Sequence, residues 1–299
     1  MQGLIVFAVA GFAASFVDGA LGMGFGPTGT SILLGSGLAP AAVSATVNLA
    51  KVATGIAAAI SHWRFRNIEK KLVWNLALPG VVGAVLGVTV LSNVSGTTLK
   101  PILAVLLTVI GLRILFRFAG YTAPKAEGTE AGDPDVMPEF NRRGTRIAAL
   151  IGGVTNGMIG AWGPVVTPFL LHRGAKPRFA VGSVNTAEVF VASASAFSLI
   201  AAMGRGGLNL GIILAMLGGG ILAAPVAAWV IRYVPARPMG VAVAVLLLLT
   251  NARELAAWSG LSKGPWVWAL YGGVIGVIAI VLIAWRPRAV SAASTASLS

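Results

Sequence analysis

The sequence predicts an all-α polytopic membrane protein built from two homologous halves. Three observations carry that prediction. The 299 residues are 57% hydrophobic and 10% charged, whereas a soluble domain carries about 25% charged residues. The apolar residues fall in runs of about twenty, the length a helix needs to cross the hydrocarbon core. A residue pattern in the first half returns in the second. The formal charge of +13, from 22 Lys and Arg against 9 Asp and Glu, does not point to nucleic acid. Its basic residues lie in loops between apolar runs, as cytoplasmic retention predicts. With no cysteine, disulfides and thiolate metal sites are excluded.

Taken in order, the first run covers 3–38. It has the apolar centre of a signal peptide but no basic residue before it, and a related segment recurs in mid-chain, so it is expected to stay in the mature protein. Gly22, Gly24, Gly26 and Pro27 interrupt it. In a helix interior each Gly costs about 1 kcal/mol and Pro about 3 relative to Ala, so two half-helices are predicted here. Full spans follow at 39–61, 72–91 and 99–118. The polar stretch 120–146 holds most of the acidic residues and reads as a cytoplasmic linker. A second interrupted run, 146–172, breaks at Gly163-Pro164, and further spans are predicted at 179–203, 208–233, 238–255 and 266–285. The domains are thus an N-terminal transmembrane repeat (1–119), the linker, and a C-terminal repeat with an extra final helix (147–286). The tail (287–299) is small, polar and expected to be disordered.

The repeat aligns Asp18 through Pro27 with Asn156 through Pro164, with one residue dropped near Met23. From there it runs ungapped, setting Gly37 on Gly174, Pro40 on Pro177, Asn48 on Asn185 and Lys51 on Glu188. Duplicated halves are common in transporters, with the site at their interface. If both interrupted runs cross the membrane, the chain has nine spans and its basic residues divide between the faces. If both re-enter, there are seven full spans and two hairpins, and the second half is inverted. The basic residues of 64–71, 113–146, 173–178, 232–237 and 286–288 then share one face, leaving positions 100, 205, 253 and 263 on the other. The positive-inside rule favours the re-entrant, inverted-repeat arrangement, with nine spans as the alternative.

Lys51 is the cation in an otherwise apolar span, and a charge at that depth faces a protein interior or an ion pathway. Pro27 and Pro164 stand where a half-helix would begin, a favourable place for a residue without an N–H. The free N–H groups and positive dipole end of such a helix attract anions, and two of them meeting near the midplane would form a pocket for a small anion. Gly24, Gly26 and Pro27 in one half, with Gly163 and Pro164 in the other, are its expected backbone. Lys51 would add a full charge, and Asn48 and Asn185 would donate amide hydrogen bonds. Asp18 and Glu188 would carry a coupled proton or neutralise Lys51. Two plainer readings stand beside these: the glycines serve close helix packing, and Lys51 pairs with Glu188 or Asp18 only to lock the halves together.

The segments `GFAASFVDGALGMGFGPTGTSILL`, `VSATVNLAKVATG`, `NGMIGAWGPVVTPFLL` and `VGSVNTAEVF` resemble the sulfite exporter TauE/SafE family of membrane transporters, over 11–285. The resemblance implies a bacterial or archaeal inner-membrane protein of seven to nine helices that exports sulfite-like anions or organosulfonates. The family motif supports the G-x-G-x-G-P turn and the Asn in each half, whereas Lys51 and Glu188 come from burial alone. The second copy has one glycine fewer, a departure from a symmetric pocket.

Gly22-Met-Gly-Phe-Gly26 lacks the βαβ context and acidic partner of a dinucleotide loop. No nucleophile–base pair or metal-ligand spacing appears within the spans, so no catalytic residue, metal ligand or cofactor is assigned and an enzyme is not expected. His62 and His172 lie at helix ends, and Trp63, Trp74, Trp266, Trp268 and Trp285 read as interfacial anchors. The expected function is export of a small anion by alternating access, with proton coupling open through the two carboxylates. A passive anion channel, and a membrane enzyme or assembly subunit, are the alternatives. The partners are the anionic substrate and the lipid bilayer, not nucleic acid. Self-association is left open.

Overall fold

The computed structural model describes residues 2–21, 25–119, 140–204, 209–230, 236–260, 271–273, 275–276 and 279. Gly24, most of the expected linker, most of the final span and the tail lie outside the described residues. Among the described residues every regular element is a helix. In order these are α1 (Gln2–Leu21), α2 (Phe25–Gly35), α3 (Pro40–Arg64), α4 (Lys70–Asn93) and α5 (Gly96–Ala119), then α6 (Arg142–Ile159), α7 (Gly163–His172), α8 (Pro177–Met203), α9 (Leu210–Val230) and α10 (Ala236–Trp258). Pro40–Arg64, Lys70–Asn93, Gly96–Phe118, Arg178–Met203 and Val241–Trp258 are long and apolar enough to cross a membrane. Outward-facing apolar side chains such as Ile60, Val82, Val109 and Phe197 are exposed, as a lipid-facing surface requires. The chain is a multi-pass helical membrane protein.

Local chemistry sets the helix ends. Pro40 and Pro177 open α3 and α8, and Pro164 stands in the first turn of α7, where a missing N–H leaves no hydrogen bond unmade. The Glu69 carboxylate accepts from the Lys71 N–H at the start of α4 (3.1 Å), and the Asn141 side chain accepts from the Gly144 N–H at the start of α6 (3.0 Å). Both satisfy N–H groups that the helix itself cannot.

Both interrupted runs double back. With 11 and 10 residues, α2 and α7 are about 15–17 Å long, too short for a hydrocarbon core about 30 Å thick. A Cβ at Gly29 of α2 would lie 3.7 Å from the Ala14 methyl of α1, and the repeat-equivalent Val166 of α7 lies against Gly152 of α6. The Phe169 ring reaches Gly144, near the start of α6. The chain leaves each short arm through equivalent glycines, Gly37 at φ 91° and Gly174 at φ 82°.

The halves enter from opposite faces. Arg146 of α6 donates to Asn75 near the start of α4 (3.0 Å), which sets the start of α6 at the face where α3 ends. Because α2 returns the chain before α3 begins, α1 starts at the other face, the one at which Pro40 packs beside Gly96 of α5. α1 then runs parallel to α9, with Gly11 on Met216 and Ser15 on Gly220, and α6 runs parallel to α4, with Gly153 on Gly80 and Gly157 on Ala84. Among the described residues these two interfaces are the most extensive, and each joins one half to the other.

Arg64, Arg66, Lys70, Lys71, Arg142, Arg143, Arg173 and Lys176 gather at the face where α3 ends, whereas Lys100 lies near the opposite one. The positive-inside rule predicts that the first face is the cytoplasmic one. In this cysteine-free chain, single cysteines at the exposed Arg66 and Arg173 are therefore expected to react with an impermeant thiol reagent from the cytoplasmic side. One at the exposed Ser95 is expected to react from the other side. Labelling of Arg66→Cys and Arg173→Cys from opposite faces would contradict the inverted arrangement.

Candidate functional site

The two hairpin tips meet in the middle of the molecule. A Cβ at Gly26, at the start of α2, would fall 1.8 Å from the carbonyl oxygen of Gly160, at the turn between α6 and α7, so backbone touches backbone there. Gly160 caps α6 in the left-handed region, φ 68°, a conformation that favours glycine. Its counterpart by repeat is Gly22, outside the described residues. The contact is therefore not a symmetric one between equivalent glycines.

Lys51 of α3 is 6% exposed and its ammonium is directed at these tips. It donates to the Gly160 carbonyl (2.6 Å) and to Asn156 Oδ1 (3.0 Å), and it forms an ion pair with Glu188 of α8, whose side chain is 17% exposed. Lys51 and Glu188 occupy equivalent positions in the two halves, so they meet across the repeat. Asp18 of α1 lies within electrostatic reach of Glu188.

Asn156 of α6 organises the neutral part of the site. Its amide donates to Asn48 Oδ1 (2.7 Å) and to Ser195 Oγ (3.0 Å) while its own Oδ1 accepts from Lys51. Asn48 in turn donates to the Ser44 carbonyl (2.9 Å) and the Asn156 carbonyl (3.3 Å), and Ser44 donates to the Gly157 carbonyl (2.7 Å). Asn48, Asn156, Ser44 and Ser195 are fully buried, so the hydrogen bonds between them hold α3, α6 and α8 in one register.

The two short helices begin differently. At α2, Asp18 Oδ1 accepts from the Phe25 N–H (3.2 Å), so a carboxylate of the chain already occupies that positive helix end. The equivalent of Asp18 is the neutral Asn156, and at α7 the N-cap position is Trp162, which gives no side-chain cap. Gly163 and Pro164 form its first turn. Trp162 itself is fully buried, and its Nε1–H donates to the Val184 carbonyl of α8 (3.1 Å). In the first turn of α2, Thr28 is fully buried and its hydroxyl lacks a hydrogen-bond partner among the described residues. That leaves a donor near the tip for a polar guest.

The expected site residues thus divide. Lys51, Glu188, Asn48, Gly26, Pro27, Asp18, Gly163 and Pro164 are on the elements that meet at the tips, while Gly24 lies outside the described residues. Asn185 is placed elsewhere. Its Nδ2 is 3.2 Å from His62 Nε2 toward the end of α3, about a turn beyond Glu188 toward the cytoplasmic face. Asn156, Ser195, Ser44 and Gly160 were not singled out from sequence. One signal for Asn156 existed, its alignment with Asp18.

Two apolar cores flank the site. Val47 and Ala50, beside Lys51, belong to the core that also holds Phe25, Ile159 and Met216. Ala187 and Val191, beside Glu188, belong to the core around Trp162, Leu76 and Val184. The ion pair therefore lies on the seam between the cores. A crevice of about 370 Å³, lined by Ile60, Trp63, Lys70, Trp74 and Phe190 among others, is largely apolar and has neither Lys51 nor Glu188 in its lining.

The family model of the sulfite exporter TauE/SafE matches residues 7–254. The chain is also 38% identical over 259 residues to the probable membrane transporter protein YtnM of Bacillus subtilis (strain 168), a match covering 85% of this chain and 83% of that protein. No solved structure matches it.

Proposed function

The chain belongs to the sulfite exporter TauE/SafE family, and from that premise we propose that it exports a small anion, sulfite or a related sulfur oxyanion or organosulfonate, by alternating access. That it is a membrane transporter follows from the family and the relative. The anion, the direction and the mechanism are our reading. Its setting would be the inner membrane of a bacterium or archaeon, with 1–119 and 147–286 as the two repeat units and 120–146 as a cytoplasmic linker.

One observation carries the reading. A buried lysine stands where two re-entrant hairpins from opposite halves touch, held by a carboxylate and two neutral acceptors. An ion pair that served packing alone would not need the tips of two broken helices beside it. The α7 start, free of a carboxylate cap, adds positive potential on one side of the site. The seam between the cores supplies a surface along which the packed bodies slide to expose Lys51 to one face and then the other. Asn48 lines the site, Asn185 and His62 lie on the approach from the cytoplasmic face, and Asp18 and Glu188 are the carboxylates available for a coupled proton.

Counterflow into liposomes holding the purified protein, with sulfite, sulfate and methanesulfonate, tests the proposal. Asn48→Ala is expected to weaken anion affinity by about 1–3 kcal/mol through the loss of buried amide bonds, whereas Asn185→Ala should change rate more than affinity. Normal affinity in Asn48→Ala would remove it from the site. Downhill flux without counterflow would make the protein a channel.

A further inference from the structure

We propose that Glu188 is a tethered anion that the substrate must displace, and that the transported species is accordingly a singly charged oxyanion moving together with one proton. The inference rests on the anion-transporter reading above. An ammonium group has three donors, and in this structure all three of Lys51's are engaged, by Glu188, by Asn156 Oδ1 at 3.0 Å and by the Gly160 carbonyl at 2.6 Å. An incoming anion finds none vacant and must replace one acceptor.

Only one of the three is exchangeable. The Gly160 carbonyl is fixed by the hairpin turn, and Asn156 is fixed by its bonds to Asn48 and Ser195. Both are neutral, so neither competes with an anion for charge. Glu188 is negative, sits on a flexible side chain and is the more exposed partner, 17% against 6% for Lys51. An oxyanion reproduces what Glu188 offers Lys51.

The charged groups facing Glu188 are Lys51 from α3 and Asp18 from α1. His62 on α3 is a turn away beside Asn185. On the other helices packed against α8, titratable residues stand only near the ends: Lys70 and Lys71 of α4, Arg142, Arg143 and Arg146 of α6, and His172 of α7. Once Lys51 has turned to the substrate, an ionised Glu188, 17% exposed and with Asp18 in electrostatic reach, would have lost the cation it is paired with. A group in that position takes up a proton rather than remain charged. The proton comes from the water of the open face, binds a Glu188 carboxylate oxygen and leaves to the opposite face when Glu188 recaptures Lys51.

The charge count then selects the substrate. At rest the Lys51–Glu188 pair carries no net charge. With Glu188 protonated and a monoanion bound, the net charge is unchanged, so loading is electroneutral. A dianion would add an uncompensated negative charge among Asp18 and the substrate itself, the kind of like-charge contact that discriminates against a wrong ligand. A sulfonate or hydrogen sulfite meets the condition, and sulfate does not.

Full-length protein in liposomes with a pH-sensitive dye inside tests this directly. An inward gradient of methanesulfonate, a monoanion, should acidify the lumen without an added ionophore, and sulfate flux should be slower by about tenfold or more. Glu188→Gln should uncouple the two movements: whatever methanesulfonate flux it retains should carry no proton signal and should require a potassium ionophore for charge balance. Methanesulfonate entry in wild-type protein without lumenal acidification, or sulfate entry at the same rate, would overturn this inference while leaving the transporter reading intact. That wild-type result decides even if Glu188→Gln does not insert. No flux of either anion in the wild type would overturn the transporter reading and the inference with it.

Discussion

Gly26→Ala is expected to abolish transport and to lower the unfolding temperature markedly, although the change adds a single methyl group. The added Cβ would stand 1.8 Å from the Gly160 oxygen and 2.4 Å from the Gly160 carbonyl carbon. Both are backbone atoms, so no side-chain rotation relieves the clash. Overpacking of this kind costs about 1–3 kcal/mol or more, and here it falls on the carbonyl that accepts from Lys51. Separating the tips therefore also loosens the site. Gly160→Ala should act alike, because it places a side chain at φ 68° and 2.6 Å from a Val47 methyl. The control is Gly218→Ala on α9, where a Cβ meets nothing within 4 Å. There alanine should be neutral or stabilising by up to about 1 kcal/mol through helix propensity. Melting in detergent and counterflow measured on the three variants check the set. A Gly26→Ala protein with wild-type melting and transport would show that the tips do not touch.

The broken helices were legible in the sequence because Gly and Pro act locally. Gly26-Pro27 and Gly163-Pro164 mark breaks wherever the rest of the chain goes, and the loop charges indicated that the short arms return. The pairing of Lys51 with Glu188 was also within reach, since the repeat sets them on equivalent positions. The repeat also sets Asn48 on Asn185, expected to line one pocket, yet the two have different partners. Equivalent residues of inverted halves meet only where the helices cross. Lys51 and Glu188 are at that crossing of the antiparallel α3 and α8. Asn48 and Asn185 each lie three residues before it in the chain, which carries them toward opposite faces. Asn48 consequently finds Asn156, and Asn185 finds His62. The network of Ser44, Asn156 and Ser195 depends on the register of α6 against α3 and α8. Packing between segments 39 to 113 residues apart sets that register, and nothing local in the sequence encodes it.

Neutralising Lys51 is expected to destabilise the protein more than neutralising Glu188, and removing both charges should recover much of the loss. Lys51→Gln leaves Glu188 without its cation and beside Asp18. Breaking a buried pair from one side costs about 3–5 kcal/mol, because the remaining charge is uncompensated. Glu188→Gln is gentler, since Gln keeps an acceptor for Lys51, Asn156 and Gly160 still accept from it, and Asp18 remains in the neighbourhood. A loss of about 1–3 kcal/mol is expected there. In the double variant neither member of the pair is left charged without the other, so its stability should exceed that of Lys51→Gln and the couplings should be non-additive. Transport separates the site role from the structural one. If Lys51 attracts the substrate, Lys51→Gln and the double variant both lose anion affinity, the latter despite its recovered fold, while Glu188→Gln retains binding. Counterflow and thermal unfolding on the two single variants and the double variant give the answer. A double variant that is stable and transports like the wild type would reduce the pair to a lock between the halves, and would leave the start of α7 as the main source of positive potential at the site.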